Sequence, residues 1–83
     1  MKKVDVAISK KLELNQLAAE IIKLANEYKS EIFVEKDGRK ANAKSLLGIL
    51  SLGLAAGCSL TITATGEDEH EAIRCLEEMV VTQ

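Results

Sequence analysis

Ala41-Asn42-Ala43-Lys44-Ser45-Leu46-Leu47-Gly48-Ile49-Leu50-Ser51-Leu52-Gly53 is polar and small up to a serine, then apolar for about two helical turns, then closed by a glycine. This pattern predicts a short capped helix. Ser45 is a good N-cap type, because its hydroxyl can accept a hydrogen bond from a backbone N–H one turn ahead, that of Leu47 or Gly48. Gly53 suits the position just past the helix, where a left-handed backbone ends it without a Cβ clash. A helix this short, with leucines at 46, 47, 50 and 52 and Ile49, cannot bury every side, so part of its apolar surface faces water or a partner. Ser45 would then stand at the positive end of a helix beside an apolar patch.

Immediately before this stretch, Glu31 to Lys36 is strand-like through Ile32, Phe33 and Val34. Asp37-Gly38 tolerates the two positive φ angles of a type I′ turn, so Arg39 to Asn42 is predicted to fold back as the partner strand. Further upstream, Val4, Val6 and Ile8 alternate with polar or small residues over Lys3 to Ile8, the mark of a half-buried strand. Asn15 offers an N-cap for a first helix over about Gln16 to Tyr28, with Leu17, Ala18, Ile21, Ile22, Leu24 and Ala25 at helical spacing. Downstream, Leu60, Ile62 and Ala64 alternate with Thr61, Thr63 and Thr65 as another strand. Asp68 with Glu71 three residues on predicts the start of a last helix, whose core face is Ala72, Ile73, Leu76, Met79 and Val80. The order is strand, helix, strand, strand, helix, strand, helix. It predicts an α+β sandwich, a four-stranded and largely antiparallel sheet covered by helices on one face and open on the other.

Composition narrows the classes of function. The 83 residues are 47% hydrophobic and 29% charged, a folded and not a disordered profile, and the length suits a single domain over residues 1–83. A net charge of −2 gives no general reason to bind nucleic acid, whose phosphates demand a basic face. No apolar run approaches the roughly 20 residues of a membrane span, and no apolar signal core follows the N-terminal lysines, so a cytoplasmic location is expected. Cys58 and Cys75 are expected as reduced thiols; with His70 they match no zinc spacing, and neither a metal nor a cofactor is predicted. Lys10, Lys11, Arg39, Lys40 and Lys44 form either a patch for an acidic partner or a solvated rim.

The element order, Glu35-Lys36-Asp37-Gly38 at the hairpin, Asn42-Ala43-Lys44-Ser45 at the cap, Gly48, Ser51-Leu52-Gly53 and Gly66-Glu67-Asp68-Glu69 resemble the HPr family of the bacterial sugar phosphotransferase system. The resemblance is strongest to its catabolite-repression branch, Crh, and runs without gaps from the first helix onward. It implies an HPr-like open-faced β-sandwich, βαββαβα, with strand order 1-4-2-3. The family carries phosphate on the histidine of a histidine-alanine-arginine-proline run just before the first helix. Counted back from Ser45, those positions hold Leu14, Asn15, Gln16 and Leu17. Leucine has no nucleophilic nitrogen, and Gln16 lacks the cationic fork of arginine, so histidine phosphotransfer is not expected. The one histidine, His70, reads as a surface residue of the last helix. Crh also lacks the catalytic histidine, although it keeps more of the neighbouring motif.

What the resemblance leaves is the serine. In Gram-positive relatives the residue matching Ser45 is phosphorylated by a bifunctional HPr kinase/phosphorylase, and the phosphoprotein docks on a transcriptional regulator of carbon catabolite repression. The expectation is thus a non-enzymatic regulatory adaptor modified on Ser45, with Leu46, Leu47 and Leu50 as apolar contacts for the partner, acting as a monomer or homodimer. The alternative is an interaction or structural protein of the same fold in which Ser45 is only a helix cap.

Overall fold

The structure, a computed structural model, describes residues 1–81. Its elements are β1 (Lys2–Ala7), α1 (Leu14–Ala25), β2 (Glu31–Lys36), β3 (Arg39–Asn42), α2 (Leu46–Leu52), β4 (Ser59–Thr65) and α3 (Glu69–Val81). The strands form one sheet in the order β1-β4-β2-β3, every neighbouring pair antiparallel. Register explains why alternation in the sequence becomes two different faces. Val4 stands opposite Ile62, Ile62 opposite Val34 and Val34 opposite Ala41, so one apolar row crosses all four strands. One residue along, Asp5, Thr61, Glu35 and Lys40 make a polar row on the other face.

The helices cover the apolar face. α3 packs on β1 and β4, α2 on β2 and β3, and α1 lies against both other helices. Leu17, Ala18 and Ile21 of α1, Ile49 of α2 and Leu76 of α3 join Ile32, Val34 and Ile62 in one buried cluster. Each large side chain so buried is worth about 1.5–3 kcal/mol relative to exposure. The opposite face is open, with Lys40 lying over the Phe33 ring at 4.7 Å. The expected sandwich, its strand order and the hairpin are all present, and Asp37 and Gly38 carry the two positive φ values, 52° and 78°, of the type I′ turn.

Two helix starts differ from the sequence expectation. α1 begins at Leu14, two residues before the expected Gln16, and Asn15 lies inside its first turn and caps nothing. The N-cap is Glu13, which contributes its carbonyl, accepting from the Leu17 N–H at 2.9 Å, and no side-chain cap bond. The earlier start turns Leu14 onto the core, a gain that competes directly with the cap Asn15 would have made. At its other end α1 stops at Ala25 and not Tyr28. Glu27 and Tyr28 donate to carbonyls three residues back, those of Leu24 and Ala25, so the chain tightens out of α geometry.

α3 starts at Glu69, directly after Asp68, whose carbonyl accepts from the Ala72 N–H, but the capping box expected between Asp68 and Glu71 does not form. The Asp68 carboxylate instead crosses to the α1–β2 turn, where it accepts from the Lys29 N–H at 2.8 Å, the Ser30 N–H at 2.9 Å and the Ser30 hydroxyl. Glu69 supplies the reciprocal contact, accepting from the Gly66 N–H at 3.1 Å. Both carboxyls are held below their ordinary values, Asp68 first by the Ser30 hydroxyl and then the Lys29 N–H, and Glu69 first by the Gly66 N–H.

Candidate functional site

Ser45 stands where β3 hands over to α2, and the local chain is set by short-range bonds. Asn42 accepts on its side-chain oxygen from the Lys44 N–H at 2.8 Å and on its carbonyl from the Ser45 N–H at 3.0 Å, closing the Asn42–Ser45 turn. Ser45 then takes extended backbone angles, φ −107° and ψ 118°, and its Oγ accepts from the Gly48 N–H at 3.2 Å. Of the two partners open to it from sequence, Gly48 is the one used. A Cβ on Gly48 would sit 3.3 Å from both the Ala41 Cβ and the Ser45 Oγ, so the glycine lets α2 seat closely on β3 beneath the cap. Gly53 closes the helix in the left-handed region, φ 65° and ψ 47°.

α2 divides cleanly by face. Ile49 and Leu52 are buried, Leu46 and Leu47 are 52% and 81% exposed, and Leu50 is half-buried against the core. Of the three leucines expected to meet a partner, two stand in water beside the exposed Ser45 and the third is half-buried.

Two lysines support this helix in ways the sequence did not signal. Lys36, at the hairpin, donates through Nζ to the carbonyls of Leu52 at 3.1 Å and Gly53 at 3.2 Å, a cation on the negative end of α2. Lys44 donates through Nζ to the Tyr28 carbonyl at 2.8 Å, tying the turn before Ser45 to the end of α1. The three carbonyls lie 16 or 17 residues away from the lysines that hold them, beyond any local pattern.

The remaining residues singled out from sequence are dispersed. Leu14 is half-buried and Gln16 exposed, both in the first turn of α1. His70 is exposed at the start of α3. Lys10 pairs with Glu20 at 3.1 Å, while Lys40 covers Phe33 and Lys44 holds Tyr28, so these three basic residues are each engaged with a separate partner. Cys58 and Cys75 are half-buried free thiols. Among the described residues, no three His, Cys, Asp or Glu side chains converge as a metal site, and no helix is long and apolar enough to cross a membrane.

Comparison with known proteins places this arrangement among its relatives. The family model described as the phosphotransferase-system HPr component phosphorylation site matches residues 2–82. The HPr-like protein Crh of Halalkalibacterium halodurans is 43% identical over 75 residues, 90% of this chain and 88% of the relative. Among solved structures, HPr-C-His from Thermoanaerobacter tengcongensis superposes with a TM-score of 0.91 at 42% identity, covering 96% of this chain and 91% of that one. Crh of Bacillus subtilis, solved as a dimer with a swapping domain, superposes with a TM-score of 0.75 at 41% identity, covering 100% and 98%.

Proposed function

The chain belongs to the HPr family of the phosphotransferase system, with Crh among its near relatives, and on that footing we propose that it is a regulatory adaptor switched by phosphorylation of Ser45. In this reading an HPr kinase/phosphorylase modifies the serine, residues 1–83 act as a single cytoplasmic domain, and the modified protein docks on a transcriptional regulator of carbon catabolite repression. The observation that carries the reading is the exposed Ser45 hydroxyl beside the solvent-facing Leu46 and Leu47. A phosphate there adds close to two negative charges at the start of α2, where charge and free N–H groups favour it by about 0.3–1 kcal/mol. Ser45 is at the surface, so the charge is accepted without rearranging the core. The partner would read phosphoserine through arginine, with the leucines as apolar contact area.

Histidine phosphotransfer is absent from this function. The position matching the family's histidine is Leu14, that matching its arginine is Gln16, and neither side chain can accept or steady a phosphoryl group. Labelled phosphate supplied from phosphoenolpyruvate through the system's upstream enzyme should therefore not reach this chain.

Binding to the regulator tests the adaptor directly. A single charge-assisted hydrogen bond contributes about 1.5–3 kcal/mol, so the Ser45-phosphorylated protein should bind at least about tenfold more tightly than the unmodified one. Equal binding of the two forms would reduce Ser45 to a helix cap and leave an interaction or structural protein of the same fold. On assembly, β1 is an edge strand paired only with β4, the arrangement in which a first strand can be exchanged between copies. Light scattering across a concentration series distinguishes monomer from homodimer.

A further inference from the structure

We propose that Lys44 is a phosphate-responsive tether: with Ser45 unmodified it holds the turn before α2 to the end of α1, and with Ser45 phosphorylated its ammonium leaves the Tyr28 carbonyl for the phosphate. This deepens the adaptor reading and rests on it.

In the unmodified protein Lys44 Nζ donates to the Tyr28 carbonyl at 2.8 Å, in a half-buried contact. Its backbone is fixed separately, since the Lys44 N–H goes to the Asn42 side chain and the Ser45 N–H to the Asn42 carbonyl. Only the flexible side chain would have to move. Among the described residues no carboxylate pairs with Lys44, so its present acceptor is a neutral carbonyl. A phosphoserine dianion at the next residue would offer Lys44 an anionic acceptor in place of that carbonyl. Neighbouring Cα atoms are about 3.8 Å apart and both side chains are longer than that. Ammonium bonded to phosphate is shorter and stronger than ammonium bonded to an amide carbonyl, which sets the direction of the exchange.

The surroundings determine how far the release spreads. The two residues after Tyr28 are gripped independently, the Lys29 and Ser30 N–H groups by the Asp68 carboxylate. The Tyr28 N–H remains on the Ala25 carbonyl. Departure of Lys44 therefore frees one peptide carbonyl at the end of α1 without unravelling the turn. Phosphorylation would then change two surface points, the anion at Ser45 and the Tyr28 carbonyl. The phosphate presented to a partner would already be partly neutralised.

The test uses full-length protein with phosphoserine incorporated at position 45 during synthesis, so that it does not depend on any kinase recognising the chain. The ¹³C shift of the Tyr28 carbonyl is measured with and without the phosphate, in the wild type and in Lys44→Met. The phosphate's second pKa is titrated by ³¹P in the same two backgrounds. The expected results are that phosphorylation moves the wild-type Tyr28 carbonyl to the shift it has in Lys44→Met and moves the variant no further. The phosphate should also titrate about 0.5 unit or more lower with Lys44 present than without it. A Tyr28 carbonyl that keeps its unmodified shift in the phosphorylated wild type, or a phosphate pKa that is the same in both backgrounds, overturns the proposal. If Lys44→Met folds poorly, the wild-type carbonyl shift decides alone. Absence of kinase activity on Ser45 would count against the adaptor reading and leave this result untouched.

Discussion

The starts of α2 and α3 are built from the same kind of residue and used in opposite ways. At α2 the cap is local: Ser45 satisfies Gly48 three residues on, remains exposed, and has leucines in water next to it. At α3 the acidic side chain is committed at long range. Asp68 reaches across 38 and 39 residues to bind Ser30 and Lys29, and Ser30 beneath it is 0% exposed. A phosphate or a partner could therefore be added at α2 without undoing the fold, whereas the same intrusion at α3 would displace three hydrogen bonds. Accessibility of the cap, more than its residue type, separates a candidate regulatory site from a structural corner.

Gly66→Ala should give the largest effect. Its backbone has φ 152°, and a Cβ there would lie 2.7 Å from the Ser30 Oγ and 2.8 Å from the Ser30 Cα. Because one of those atoms is backbone, a rotamer change cannot relieve the clash. A loss of about 2–4 kcal/mol in chemical denaturation is expected. A loss under about 1 kcal/mol would mean that this corner yields and that the contrast with α2 is overstated.

Asp68→Asn should cost less, since one side-chain oxygen acceptor remains, and its signature is in pH. The Asp68 carboxyl is held below its ordinary value in the folded protein. The stability it contributes is thus complete above the usual carboxylate range, near pH 4, and is lost as pH falls through the folded value. Circular dichroism during acid titration should show a shallower decline of stability in the variant than in the wild type. Parallel curves would remove Asp68 from the account of that corner.

Ser45→Ala removes a single exposed cap and should lose about 0.5–2 kcal/mol with the fold retained. Ser45→Asp sharpens the comparison further. Aspartate caps as well as serine, so stability should match the wild type, while one charge and one fewer oxygen should imitate phosphoserine poorly in regulator binding.

The elements whose cues are local were legible in the sequence. Ser45, Gly53 and Asp37-Gly38 each act within four residues, and the alternation over Leu60 to Ala64 translates directly into a sheet face. What was hidden depended on partners far along the chain. Asp68 looked like a cap for its own helix until Ser30 was brought beneath it, and nothing near Lys36 or Lys44 announces the carbonyls they hold. Asn15 misled for a related reason, because the inward packing of Leu14 outweighs a cap preference that is visible locally. At the candidate site the serine and its capping role could be read, whereas the division of the leucines into exposed Leu46 and Leu47 and half-buried Leu50 required the packed helix.

The central claim is that Ser45 is a modification site as well as a cap. Its most direct test is to incubate the full chain with an HPr kinase/phosphorylase and ATP and to locate phosphate by fragment mass spectrometry. The account predicts one phosphate per chain, on Ser45, and none on the neighbouring Ser51, whose hydroxyl is donated to the Gly48 carbonyl at 2.7 Å. An unmodified chain, under conditions that fully phosphorylate an HPr control, would contradict it.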